Sequence, residues 1–155
     1  MEREATVSQD SGVSSIRTHD ARHTPAAVVS KLADAMRLPQ YEECFVIAID
    51  EAQFFPDLLE TVLQMVERDK KVVYVAGLDG TYRREPFGQI LQLIPYCDTV
   101  VKLHAVCQGC GCSQIQPVNA LFTQALFEQP VASHTQINVG GAEKYKSVCR
   151  LCYRQ

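Results

Sequence analysis

The sequence predicts an α/β protein with a small cysteine-tied appendage, and three observations carry that prediction. Two short, wholly apolar runs, Cys44–Ile49 and Val72–Ala76, are too brief for helices and read as strands buried on both faces. Between them, a segment opened by Pro56 and Asp57 carries Leu59, Val62, Leu63 and Val66 at helical spacing. Beyond Val106 both periods give way to paired cysteines, Cys107 with Cys110 and Cys149 with Cys152. A strand joined through a helix to a second buried strand implies a parallel pair with a right-handed crossover, the unit from which α/β sheets are built.

The remaining elements follow in chain order. Residues 1–23 are polar and lack periodicity, so they read as loop or disorder, or as a truncated edge. Thr24 before Pro25 has the chemistry of a helix start, and Val28, Val29, Leu32, Ala35 and Met36 repeat at helical spacing to about Arg37. Gly77–Gly88 (GLDGTYRREPFG) is a glycine-punctuated loop at the C-terminal end of a strand, where open parallel sheets bind ligands. A short helical segment from about Phe87 to Leu93 and a strand near Thr99–Leu103 complete this part. The expected organisation is therefore an edge over 1–23, a core over 24–106 and a metal-tied subdomain over 107–155.

Composition narrows the class of function. With 155 residues, 46% of them hydrophobic, the chain is long enough for one buried core. Fifteen basic residues against 18 acidic ones leave a net charge of −3, which gives no reason to expect a nucleic-acid polymer or a membrane surface as partner. No apolar run reaches membrane-spanning length, and the N-terminal residues lack the basic-then-apolar pattern of a secretory signal. Seven cysteines, an odd number, with four of them in two CxxC pairs, point to a reduced, cytoplasmic, metal-binding chain and away from a disulfide framework.

Three groups of residues carry chemistry. Two CxxC knuckles let the thiolates of Cys107, Cys110, Cys149 and Cys152 converge on a tetrahedral zinc ion that closes a long loop and keeps no open coordination position. Cys112 lies two residues beyond Cys110 and is the alternative ligand, although the spacing favours Cys110. At the end of the first buried strand, Asp50 sits where an aspartate would hold the magnesium of a nucleoside triphosphate, and Glu51 sits where it can accept a proton from a nucleophile. Phe54, Tyr82, Phe87 and Tyr145 supply flat apolar walls for a base, and Gly140 with Gly141 permits close backbone approach. Taken singly, the acidic pair reads as an ordinary polar strand end and each aromatic as core packing.

Together these residues resemble a family. IDEAQFFPD (Ile49–Asp57), AGLDGTYRREPFG (Ala76–Gly88), VVKLHAVCxxC (Val100–Cys110) and GGAEKYxSVCRLCY (Gly140–Tyr153) resemble the zinc-containing thymidine kinases of vertebrate cytosol and many bacteria, with THD (Thr18–Asp20) as a further match. The resemblance implies a parallel-sheet, P-loop-type kinase core with a C-terminal zinc-bound lasso. It implies transfer of the γ-phosphoryl group of ATP to the 5′-hydroxyl of thymidine or deoxyuridine, in nucleoside salvage for DNA synthesis. By position it makes Asp50 the magnesium-associated acid, Glu51 the catalytic base, and Ala52 and Gln53 part of the same ATP-side segment. Phe54, Leu78, Tyr82 and Phe87 match the nucleoside pocket. Gln136, Ile137, Asn138, Val139 and Gly140 match the lasso segment whose backbone grips the base, with Tyr145 as its tyrosine partner. The four cysteines match the zinc ligands, and a homotetramer is the expected assembly.

One family feature has no counterpart in these 155 residues. The family carries a loop of the form GxxxxGK[ST], whose amides and lysine cradle the triphosphate. Here the eight glycines stand at 12, 77, 80, 88, 109, 111, 140 and 141, and none is followed by lysine. The expectation is a kinase sequence lacking its first strand and loop and nearly inactive alone. The alternatives are a degenerate domain kept for structure or assembly, and a zinc-ribbon binding module without catalysis.

Overall fold

A computed structural model of the protein describes residues 14–17, 23–110, 117–126 and 143–153. They fall into two compact units, one taking in the described residues of Arg3–Gly77 and Gly88–Gln92, the other those of Leu78–Phe87 and Leu93–Gln155. Helices and strands mix, as expected of an α/β chain, and the strands among the described residues pair into four two-stranded sheets.

In the unit of Arg3–Gly77 and Gly88–Gln92, β1 (Ser14–Arg17) pairs antiparallel with β2 (His23–Ala26). Two expectations are thereby corrected: the edge over 1–23 contains a strand, and Thr24 and Pro25 are extended, not the start of a helix. The helix begins later, as α1 (Leu32–Ala35), and α2 (Pro39–Glu43) follows with Pro39 in its first turn. The reason is a cap from far along the chain. The N–H groups of Leu32 and Ala33 donate to the two carboxylate oxygens of Asp57 at 3.0 and 2.9 Å, so α1 starts where Asp57 reaches it. Burial raises the pKa of that carboxyl, but the amides of Ala33 and Leu32 outweigh it and hold the value below the usual 3.8. At the other end of the pair, the Lys71 ammonium donates to the carbonyls of Tyr41 and Cys44, closing the C-terminus of α2.

The parallel pair forms as expected: β3 (Val46–Ile49) lies beside β4 (Val72–Val75), with Val46 opposite Val72 and Ile49 opposite Val75. The strands are not buried on both faces. Exposure alternates along each, so that Ile49 is buried while Tyr74 is 66% exposed, because a two-stranded ladder presents alternate residues to opposite sides. The crossover helix α3 (Leu58–Leu63) runs into a π-helical turn, Gln64–Arg68. Its buried stripe is Leu58, Thr61, Val62 and Met65, one residue out of step with the predicted Leu59, Val62, Leu63 and Val66. Thr61 can sit on that face because its hydroxyl donates to Asp57 at 3.4 Å and its N–H to the Asp57 carbonyl at 3.1 Å.

In the unit of Leu78–Phe87 and Leu93–Gln155, the chain folds as short antiparallel ladders. β5 (Ala105–Val106) pairs with β6 (Asn119–Ala120), and β7 (Phe122–Ala125) with β8 (Tyr145–Val148). The core of this unit is Cys107, Ala120, Val148 and Cys149, with Val118, Phe122 and Tyr153 against it. The strand expected over Thr99–Leu103 is absent: no ladder among the described residues takes these positions, and Leu103 is 86% exposed. The helix expected from Phe87 starts instead at Ile90, as 3-10 turns over Ile90–Tyr96, because Gly88 adopts a left-handed φ of 57° that no right-handed helix can include. Among the described residues no helix is long and apolar enough to cross a membrane.

Candidate functional site

The four cysteines named by their spacing meet in the folded chain. The Sγ atoms of Cys107, Cys110, Cys149 and Cys152 all lie within 4.8 Å of one another, and Cys107 and Cys149 are buried. Thiolates at the vertices of a zinc tetrahedron stand about 3.8 Å apart, so this set fits the ion without a change of backbone path. The knuckles are already aimed by hydrogen bonds: the Cys149 and Gly109 N–H groups donate to Cys107 Sγ at 3.1 and 3.4 Å. Burial raises the Cys107 pKa, but these donors outweigh it and hold the thiol below its usual range, towards the form that ligates metal. Gly109 has to be glycine, since a Cβ there would stand 2.9 Å from Cys152 Cβ and 3.2 Å from its sulfur. Four thiol donors leave no vertex for substrate, so the metal this set could hold is structural in kind. Cys112, the alternative ligand, lies outside the described residues.

In the other unit, the acidic pair stands at a sharp corner after β3. Asp50 is exposed, and its carboxylate accepts the Glu51 N–H at 2.9 Å. Glu51 has φ 54° and ψ 38°, a left-handed conformation that a residue with a Cβ adopts only when its surroundings impose it. The surroundings are the next turn, Ala52–Phe54, in which Ala52 is fully buried and Gln53 only 3% exposed. Ala52 N–H donates to the Ala76 carbonyl at 3.0 Å, and Ala76 N–H donates to the Ile49 carbonyl at 2.8 Å, which pins the corner to the end of β4. The Gln53 amide nitrogen donates to a Glu51 carboxylate oxygen.

Two glycines make room for that contact. A Cβ on Gly77 would stand 2.4 Å from Gln53 Oε1, and one on Gly88 would stand 2.3 Å from the Gln53 carbonyl oxygen. Gln53 is thus clasped between Gly77 and Gly88, and Glu51 is held by Gln53. The family resemblance puts Gln53 in the ATP-side segment by position alone, and the clasp around it is seen only in the fold. The signal was present as a glycine at each end of the Gly77–Gly88 loop.

The aromatic residues divide. Tyr82 and Tyr145 are brought together, with ring centroids 5.9 Å apart, and burial followed by the neighbouring Tyr82 pushes the Tyr145 phenol above its usual pKa. Phe87 is half-buried and its N–H donates to the Asp79 carbonyl at 3.2 Å, while Leu78 is exposed. Phe54, in the other unit, is exposed. Gln136, Ile137, Asn138, Val139 and Gly140, together with Gly141, lie outside the described residues.

Comparison with known proteins points to one family for the chain. A family model described as thymidine kinase matches residues 5–153 of the chain. The thymidine kinase of Monkeypox virus is 43% identical over 137 residues, which cover 88% of this chain and 70% of that protein. The thymidine kinases of vaccinia virus (strain Western Reserve) and variola virus are each 42% identical over 137 residues, with the same shares covered.

Proposed function

Since the chain belongs to the thymidine kinase family, we propose that it serves ATP-dependent phosphorylation of the 5′-hydroxyl of thymidine or deoxyuridine. The observation that carries this reading is the corner Asp50–Gln53. It holds a carboxylate in a strained backbone position at the end of a parallel strand, oriented by a buried glutamine. Strain kept in place by packing marks positions where a side chain must point one way, as a proton acceptor must.

The roles follow from the chemistry. Glu51 takes the proton of the attacking 5′-hydroxyl, and Asp50, exposed one residue earlier, would hold the magnesium of ATP. That ion, when bound, neutralises charge on the phosphate oxygens. Ala52 and Gln53 fix the corner from below. Tyr82 and Tyr145, with Leu78, Phe54 and Phe87, receive the pyrimidine, and the backbone of Gln136–Gly140 reads its edge. A base edge met by backbone groups is discriminated strongly, because a mismatched ligand leaves polar groups unpaired. Zinc at the four cysteines ties the lasso. The fold under this reading is a P-loop-type core, cytoplasmic and self-associating as a homotetramer.

A radiolabelled thymidine phosphorylation assay tests it, run on the 155-residue chain and on a form extended at its N-terminus by a strand and a GxxxxGK[ST] loop. Turnover by the extended form with little from the shorter one is expected, because phosphoryl transfer depends on positioned donors around the phosphates. Inactivity of both, with fold and zinc intact, would favour a domain kept for structure.

A further inference from the structure

The contacts around Tyr153 extend this reading from the metal centre to the nucleoside. Tyr153 directly follows the last cysteine, and its backbone belongs to the knuckle: the N–H groups of Cys152 and Tyr153 both donate to the Cys149 carbonyl, at 3.2 and 3.0 Å. The side chain is therefore mounted on whatever fixes Cys149 and Cys152. Its ring packs on Phe122 with centroids 5.4 Å apart, next to the cysteine core. Its hydroxyl donates to the backbone carbonyl of Tyr82 at 2.8 Å, across 71 positions of sequence.

The loop that receives this bond is itself stiff. Gly80 bridges to Pro86, Thr81 is buried, and its N–H donates to the Glu85 carbonyl at 2.9 Å. Thr81 Oγ1 accepts the N–H groups of Arg83 and Glu85, while Arg84 is held left-handed at φ 63°. Arg84 then lays its guanidinium 4.5 Å from the centre of the Tyr153 ring and 5.7 Å from that of Phe122. A stiff loop moves as a body, so contacts at Tyr82 and Arg84, added to its two tethered ends, restrict its orientation and with it that of the Tyr82 ring against Tyr145.

We propose that Tyr153 is a positioning residue for nucleoside binding: a strut that couples the metal-bound knuckle to the Gly80–Pro86 loop and so sets Tyr82 against Tyr145. It rests on the reading of Tyr82 and Tyr145 as base-binding residues. Through the strut, a metal at the knuckle would bear on affinity for the nucleoside, since loosening the knuckle would free Tyr153 and with it the loop.

Tyr153→Phe tests it, because the ring, and hence the packing on Phe122 and Arg84, is kept while the hydroxyl is lost. Three quantities are measured on the full chain: zinc content, amide hydrogen exchange over residues 80–86, and thymidine affinity by calorimetry. The expected result is unchanged zinc, exchange in the loop faster by about fivefold, and a thymidine Kd higher by about fivefold, the scale of one hydrogen bond. Arg84→Ala, which keeps the hydroxyl bond and removes the stacking, should shift the same two readouts in the same direction by less. A role in stability alone would lower the thermal midpoint and leave the Kd of the folded, zinc-loaded protein unchanged, which overturns the proposal. Unchanged exchange over 80–86 in Tyr153→Phe overturns the strut itself. Failure of the parent chain to bind thymidine, with exchange still accelerated in the variant, would instead sink the nucleoside reading and leave the strut standing.

Discussion

The cysteine knuckles and the acidic corner after β3 are both tight bends that aim polar side chains at one point, and they are held in opposite ways. At the knuckles, backbone amides aim the sulfur directly: those of Gly109, two residues on, and Cys149, 42 residues on, turn towards Cys107 Sγ, and the four sulfurs sit within 4.8 Å. A metal ion bound by this set would supply the remaining hold by direct bonding. At the corner no metal is needed to keep Glu51 left-handed. Gln53 does it from the buried side, clasped by Gly77 and Gly88, which are 24 and 35 residues further along the chain. One region is fixed by ligand chemistry, the other by close packing of backbone on side chain. They should fail under different substitutions.

The largest expected effect is on the knuckles. Cys149→Ser removes one of four donors and one of the walls of the cysteine core, so zinc should fall from one ion per chain to near none on elemental analysis. Exchange over β7 and β8 should rise with it, while β3 and β4 keep their protection. Full retention of zinc by that variant would break the distinction. Next comes Glu51→Gln, assayed in the form extended by a strand and a GxxxxGK[ST] loop. The neutral side chain can still accept from Gln53, so the corner persists, but it cannot take a proton, and kcat should drop by about 100-fold or more with thymidine affinity kept. A fall in affinity of the same size would move Glu51 from proton transfer to binding.

The difference between the two regions also decides what could be read in the sequence. CxxC spacing encodes the geometry of its site directly, because the two cysteines of a knuckle lie on one turn, and the four cysteines that it groups do meet in the folded chain. The parallel pairing of β3 with β4 was legible for a similar reason, from two apolar runs and the helix between them. The start of α1 was not: Thr24 and Pro25 have the right local chemistry, yet the ladder with β1 claims them and the cap comes from Asp57, some 25 positions away. The burial register of α3 failed through the same residue, since Thr61 is tolerated inside only because Asp57 satisfies it. Likewise Leu103 ends a stretch, Thr99–Leu103, that reads as a strand, and no ladder among the described residues takes it up. Wherever a distant residue sets the geometry, local pattern reads the wrong element or the wrong face.

Gly88 and Gly77 grade the clasp itself. At Gly88 an alanine would add a Cβ at a left-handed φ and 2.3 Å from a backbone oxygen, which cannot move without carrying the Ala52–Phe54 turn with it. A loss of about 3 kcal/mol is expected, or a thermal midpoint lower by about 10 °C. At Gly77 the nearest atom is the side-chain end of Gln53, which can swing aside, so Gly77→Ala should cost less stability. The same swing takes Gln53 off Glu51. Gly77→Ala should therefore lower kcat out of proportion to its effect on the thermal midpoint, whereas Gly88→Ala lowers both. Equal profiles for the two variants would mean that Gln53 is packing and does not orient Glu51.

The smallest effect is expected at Asp57, and its sign can be worked out in advance. Its carboxylate accepts two amides of α1 at 3.0 and 2.9 Å, and its folded pKa lies below the ordinary 3.8. A group with a depressed folded pKa stabilises the native state fully above its unfolded value and loses that contribution as the pH falls through the folded value. The Asp57 contribution should therefore be constant from neutral pH down to about pH 5 and disappear progressively below about pH 4. Asp57→Asn keeps one acceptor oxygen for the two amides and has no charge to titrate, so it should cost about 1 kcal/mol at pH 7. Parent and variant unfolding curves should then converge as the pH drops below 4. The Asn change leaves the cysteines untouched, so zinc content should be unaffected while exchange at Leu32 and Ala33 rises. A stability difference that stays the same from pH 7 to pH 3 would show that shape, not the carboxylate charge, is what α1 needs from Asp57.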